Sequence, residues 1–157
     1  MKQIILVRHA QTAGKQAGQR DFDRSLTSEG EAQARALGKI FVMQSVHPDY
    51  LLSSSAARTR QTVELINESL RITPGHIAFR DELYETDTSG WIDAISELPP
   101  YIKCVVCIGH NPVISVLASH FAGHEVDLAP ASFARFESVT AEWTSFLNNL
   151  QENNSQQ

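Results

Sequence analysis

Two histidines and two arginines are marked out by where they fall. His9 follows Arg8 at the end of the apolar run Ile4-Ile5-Leu6-Val7. His110 follows Gly109 at the end of the apolar run 102–108, and Asn111-Pro112 come next. Arg58 lies in Ser54-Ser55-Ala56-Ala57-Arg58-Thr59-Arg60-Gln61-Thr62, where a helical pattern begins. Neutral imidazole is a base and nucleophile near neutral pH. Guanidinium offers a planar fork that matches phosphate oxygens. These types together point to chemistry on a phosphoryl group. Arg8-His9 alone would be two polar residues where a strand surfaces. Arg58 shifts that balance. A cation in a first helical turn opposes the helix dipole by ~0.3–1 kcal/mol, and a bound dianion would reverse the cost. Arg60 reads as a surface residue. Gly109 permits close backbone approach beside His110.

These residues need elements to position them. Residues 3–7 read as a buried strand, and 10–25, without periodicity, as a loop. A helix is expected from Thr27 or Ser28 to about Gln44, with Ser28 and Glu31 at capping-box spacing. Tyr50-Leu51-Leu52 is a strand, ended by three serines able to cap the next helix. That helix carries the stripe Ala56, Thr59, Val63, Ile66, Leu70 and breaks at Thr73-Pro74-Gly75. Ile77–Phe79 suggests a short strand, and 89–98 a short helix after an acidic loop. Residues 102–108 are the clearest buried strand, and Pro112 suits the first turn of a helix to about Phe121. Phe133–Glu137 and Ala141–Phe146 alternate and predict two more strands. The pattern is α/β: a three-layer α/β/α domain with a mostly parallel sheet. Ligands of such sheets sit at the C-terminal strand ends, the edge at which both His and both Arg arrive. The domain is expected to span 1–147, with 148–157 a disordered tail.

Composition narrows the partners. The 157 residues carry 42% hydrophobic residues and a net charge of -5, so one domain with its own core is expected. The acidic balance disfavours nucleic acid and makes any anion site a local cluster of arginines. No apolar run reaches the ~20 residues of a membrane span or the ~7–15 of a signal-peptide core, so the expected compartment is the cytoplasm. Cys104 and Cys107 are three apart on a strand, hence on opposite faces, and read as core. His47, His76, His120 and His124 read as solvent or packing residues. No metal-ligand cluster is evident in the sequence, and no cofactor is expected.

Five segments resemble, in order, the histidine phosphatase superfamily, which includes the phosphoglycerate mutases. They are Leu-Val-Arg-His at 6–9, Leu-Thr-x-x-Gly-x-x-Gln-Ala at 26–34, Ser-x-x-x-Arg-Thr-x-Gln-Thr at 54–62, Leu-Tyr-Glu at 83–85 and Gly-His-Asn-Pro at 109–112. One such motif is weak, and five in register are specific. Shortness, the form of the third segment and the Gly-His-Asn-Pro turn are most similar to the SixA-like phosphohistidine phosphatases. One departure is Ala10, where most members have Gly.

The resemblance implies a phosphoglycerate mutase-like fold and a two-step, metal-independent reaction. His9 attacks phosphorus, and water then hydrolyses the phosphohistidine. Arg8, Arg58 and His110 hold the phosphoryl oxygens together with His9. Glu85 matches the family's acid position, with Glu82 and Asp87 as alternatives for protonating a leaving oxygen. Gln11, Thr12 and Ser54 are weaker candidates for the pocket wall. The stretch from Arg58 to the strand at 102 is consumed by its own elements, leaving little for a lid. An open site favours phosphohistidine on a protein, with a small phosphomonoester as runner-up and a noncatalytic phosphate-binding module third. A monomer is the favoured oligomeric state.

Overall fold

The computed structural model describes residues 1–155, with side chains described to residue 150. The chain runs β1 (Lys2–Arg8), α1 (Ser28–Met43), β2 (Tyr50–Ser54), α2 (Ala57–Leu70), β3 (Ile77–Arg80), α3 (Thr88–Ser96), β4 (Cys104–Gly109), α4 (Val113–Ala122), β5 (Phe133–Ser138) and α5 (Trp143–Ser155). The sheet order is β3-β2-β4-β1-β5. Four strands are parallel, and β5 is antiparallel to β1.

Alternation along the strands assigns the two faces. Ile4, Leu6, Leu52, Val105 and Cys107 share a core with Trp91 of α3, Leu117 of α4 and Trp143 of α5. Ile5, Val7, Leu51, Val106 and Ile108 share the other with Leu37 and Phe41 of α1 and Val63 and Ile66 of α2. The result is the three-layer α/β/α sandwich expected from the pattern, with both faces of the sheet covered. Cys107 lies in one core and Cys104 in the other. Burial pushes the Cys104 thiol up to about 12 and raises that of Cys107 as well.

The last element differs from expectation. Residues 141–146 do not form a strand, because α5 begins at Trp143. Trp143, Phe146, Leu147 and Leu150 are buried, and that spacing is helical rather than alternating. Helix α5 continues through 148–155, which the sequence reading gave to a disordered tail. Residues 156–157 of that tail lie outside the described residues.

The parallel strands fix one functional edge. β4 lies between β1 and β2, with Arg8 opposite Gly109 and Ser53 opposite Ile108. The segments leaving β1, β2 and β4 therefore emerge side by side. The one leaving β1 is tied back to the approach to α1. Ala13 N–H donates to the Ser25 carbonyl (2.9 Å) and Thr27 N–H to the Gln11 carbonyl (3.0 Å). The cap of α1 is Thr27, not Ser28: its hydroxyl accepts from Gly30 N–H (2.9 Å) and donates to Gln11 Oε1 (2.8 Å).

Gly30 is required by this junction. A Cβ there would stand 2.0 Å from the Gln11 carbonyl oxygen, a backbone atom fixed by the Thr27 bond. Gly30→Ala is expected to cost about 1–3 kcal/mol, as overpacking does, or a fall in Tm of roughly 2–12 °C. Calorimetric melting checks this; an unchanged Tm would show that α1 shifts without penalty.

Candidate active site

Arg8, His9, Ala10, Gln11, Thr12, Arg24, Arg58, His110, Asn111 and Pro130 line a cavity of about 330 Å³ at this edge. Both His and both Arg singled out in the sequence are among them. The His9 and His110 rings lie 5.4 Å apart, centroid to centroid. The turn at Gly109 is tight for a packing reason: a Cβ there would approach the Trp91 ring to 2.9 Å.

The hydrogen bonds of His9 fix its tautomer. Nδ1 lies 2.8 Å from the Ala10 carbonyl oxygen. A carbonyl only accepts, so Nδ1 carries the hydrogen and Nε2 keeps its lone pair. The Thr12 hydroxyl donates to the same carbonyl at 3.0 Å. Ala10 is fully buried, its N–H donates to Thr62 Oγ1 (3.2 Å), and it is not among the residues with positive φ. Alanine therefore fits where the resemblance suggests glycine.

His110 Nε2 lies 2.8 Å from Ser54 Oγ. Ser54 Oγ also accepts from Ala56 N–H (3.3 Å), so one hydroxyl ties the His110 ring to the start of α2. The serines thus support His110 and the loop rather than cap α2, whose cap position is Ala56. Among the described residues, His110 Nδ1 and Arg8 Nε are buried without a hydrogen-bond partner. Arg8 is anchored only through Nη1, which donates to the Leu128 carbonyl (3.1 Å). Two cavity-lining residues thus carry a buried nitrogen without a partner, and buried polar groups ordinarily find one.

Arg58 is 7% exposed. Its Nη1 donates to the Asp21 carbonyl oxygen (2.9 Å) and its Nη2 to Asp21 Oδ2 (3.1 Å). Asp21 therefore partly offsets the charge that the sequence reading left to a bound dianion. Tyr84 donates its hydroxyl to the same Oδ2 (2.6 Å), and Arg24 Nη1 donates to Oδ1 (3.0 Å). Chiefly the Tyr84 bond, with Arg24 and Arg58, holds the Asp21 carboxyl well below the usual carboxylate range. Burial foremost, then the Arg58, Arg8 and Arg24 guanidiniums, draws the His9 pKa down to about 4, against the opposing pull of its bond to Ala10. Burial, then Arg58, draws His110 down to about 3. Both rings are neutral at pH 7.

Glu85 stands apart. It is exposed and does not line the cavity, though it follows Tyr84, whose ring meets that of His110 edge-on at 5.6 Å. Its neighbours are engaged elsewhere. Asp81 accepts from the Ser55 hydroxyl, Glu82 pairs with Arg80 (3.7 Å), and Asp87 caps α3 through Gly90 N–H (3.2 Å). Sequence reasoning missed Arg24, Asn111 and Pro130 in the wall, and Asp21 behind Arg58. Arg24 and Asp21 fall in an aperiodic stretch, where only their charge was a signal. None of His47, His76, His120 and His124 lines the cavity. Among the described residues, no three His, Cys, Asp or Glu stand together as metal ligands, and no helix is long and apolar enough to cross a membrane.

Residues 4–97 match the histidine phosphatase superfamily (branch 1). The fold superposes on a protein assigned as the phosphohistidine phosphatase SixA of Agrobacterium tumefaciens, with TM-score 0.81 and 27% identity over 87% of this chain and 92% of that one. It also superposes on the protein histidine phosphatase SixA in complex with tungstate, with TM-score 0.76 and 23% identity over 85% and 86% of the two chains. An uncharacterised chloroplastic protein of Arabidopsis thaliana is 27% identical over 90% of this chain and 69% of its own length. The family match spans the segments that leave β1 and β2, so the Arg8-His9 and Arg58 edge of the cavity and the sequence relationship lead to one assignment: the chain belongs to the histidine phosphatase superfamily, branch 1.

Proposed function

We propose that this chain is a phosphatase that works through a phosphohistidine at His9, and that its substrate is phosphohistidine on a protein. One observation carries the catalytic reading: His9 Nε2 keeps its lone pair in a cavity with three arginines and two unpartnered buried nitrogens. The Nε2 lone pair attacks phosphorus, and the bond from phosphorus to the leaving nitrogen or oxygen breaks as that atom takes the electron pair. The His9 ring, now bonded to phosphorus through Nε2, carries the positive charge of an imidazolium whose Nδ1–H stays bonded to the Ala10 carbonyl. Water then attacks phosphorus, the P–Nε2 bond breaks, and inorganic phosphate leaves. Arg8, Arg58, Arg24 and His110 hold the phosphoryl oxygens as charge moves between them. Glu85 protonates the leaving oxygen of an ester. Imidazole leaves more easily and depends less on that acid.

Access supports the protein substrate. Among the described residues, each of the five helices contributes side chains to one of the two sheet-face cores, and the cavity is lined by residues 8–12, Arg24, Arg58 at the start of α2, His110, Asn111 and Pro130. No helix remains to form a lid. The SixA structure that holds tungstate, a phosphate-like oxyanion, agrees with an anion site in this fold. A small phosphomonoester remains the second reading, because a 330 Å³ cavity also accepts one.

Three measurements test this. Wild type incubated with a phosphohistidine protein and with an aryl phosphate should give an acid-labile, alkali-stable phosphoenzyme. His9→Ala should give neither label nor turnover; unchanged turnover would sink the mechanism. Efficient cleavage of the ester alone would overturn the protein substrate and keep the phosphatase. Glu85→Gln should impair ester cleavage more than phosphohistidine cleavage, and equal loss on both would contradict the acid role. Finally, the depressed His9 pKa means the neutral nucleophile persists above about pH 4 and is lost as pH falls through that value. Nitrogen-15 NMR titration of the ligand-free protein should place the His9 midpoint near 4; a midpoint near 6.5 would contradict it.

A further inference from the structure

Neither Asp21 nor Tyr84 lines the cavity, yet both meet the groups that do. Asp21 belongs to a short 3-10 turn, Asp21–Asp23, in the segment between β1 and α1. Its carboxylate and its carbonyl receive four hydrogen bonds from three side chains. Oδ2 accepts from Arg58 Nη2 and the Tyr84 hydroxyl, Oδ1 from Arg24 Nη1, and the carbonyl from Arg58 Nη1. Two bonds to different nitrogens of one guanidinium fix its plane as well as its place. The same turn grips Tyr84 at both ends. Asp21 holds the hydroxyl, and Phe22 packs on the ring at 4.9 Å, edge to face. The held ring meets His110 at 5.6 Å and lies 5.9 Å from the Arg58 Cζ.

We propose that Asp21 is a positioning residue for the phosphoryl site: one carboxylate outside the cavity aims Arg58 and Arg24 and, through Tyr84, seats His110. The proposal rests on the phosphate-site reading above. The charge matters as well as the shape. Two guanidiniums and a phenol all donate, so the group between them must only accept. Carboxylate does so at both oxygens. An Asn amide would turn an N–H₂ against one of these donors, at nearly the same volume. The Asp21 side chain is 45% exposed and that of Arg58 is 9% exposed. The geometry is therefore held from the solvent side, with the arginine as the buried partner.

The test uses the full chain as wild type, Asp21→Asn, Tyr84→Phe, Arg58→Ala and the double variant Asp21→Asn/Arg58→Ala. Two quantities are measured: kcat and KM on an aryl phosphate, and tungstate binding by calorimetry. Asp21→Asn should lower kcat/KM and tungstate affinity each about 10–100-fold, the range typical of residues that orient binding groups. In the Arg58→Ala background the same change should cost clearly less than it does in wild type, because one of the groups it aims is gone while Arg24 and Tyr84 remain. A loss that merely weakened the fold would instead multiply. Tyr84→Phe keeps the ring on His110 and should give a smaller loss, about threefold or more; it is the deciding arm if Asp21→Asn does not fold. Wild-type values in both readouts for the deciding variant, or losses that multiply with Arg58→Ala, would overturn the proposal. A wild-type protein that binds tungstate but never turns over would defeat the phosphatase reading, while the tungstate arm still decides the role of Asp21.

Discussion

Positive charge gathered at one edge of the sheet is the constraint around which this molecule is arranged. Arg8, Arg24 and Arg58 converge on one cavity with two half-buried imidazoles. Charges removed from water require compensation. The protein meets this in two ways. It keeps both imidazoles neutral, because burial and the guanidiniums disfavour their protonation. It also places one carboxylate, Asp21, against two of the arginines, and leaves Arg8 Nε and His110 Nδ1 without partners. A phosphoryl dianion supplies charge and acceptors at once. The site is incomplete in the way a phosphoryl group completes.

Holding that arrangement takes more residues than performing it. Several of the motif positions outside the cavity satisfy backbone groups around it. Gln33 Oε1 accepts from Gln11 N–H (3.0 Å), Gln61 Oε1 from Leu26 N–H (2.8 Å), and Thr62 Oγ1 from Ala10 N–H. Thr59 donates its hydroxyl to the Ser54 and Ala56 carbonyls (2.8 and 3.0 Å). Each is a side chain of a helix reaching a loop that has no sheet partner for its peptides. Buried peptide groups need such partners. The Leu-Thr-x-x-Gly-x-x-Gln-Ala segment therefore works chiefly as a scaffold: Thr27 caps, Gly30 makes room, Gln33 binds backbone.

The parallel order of the sheet converts these local arrangements into one site. β4 between β1 and β2 places Arg8-His9, the start of α2 and His110 on adjacent strand ends. A rim of loops then carries the less regular contributions, Arg24 and Pro130 in the wall and Asp21 behind it. With every described helix contributing to a sheet-face core, the cavity wall is drawn mainly from the segments that follow the strands.

The sequence by itself determined the five strands of the sheet, the α/β class and six residues of the cavity, Arg8, His9, Gln11, Thr12, Arg58 and His110, because each of these rests on short-range signals. A run of apolar residues, a helical stripe and a His or Arg at the point where a strand ends are all visible within a dozen positions. It did not determine α5, whose apolar residues at 143, 146, 147 and 150 read as alternation in a window that stopped at 146. Nor did it reveal Arg24 or Asp21. Their positions follow from backbone bonds joining residues 11–13 to 25–27 and from α2 arriving opposite that loop, contacts that no local pattern encodes. The tautomer of His9 was decided by the fold as well, since it depends on an acceptor, the Ala10 carbonyl, brought within 2.8 Å by the loop geometry. Residue type fixes what chemistry is possible. The three-dimensional neighbours fix which nitrogen bears the proton and which charge stands beside it, because those depend on distances across the sheet edge.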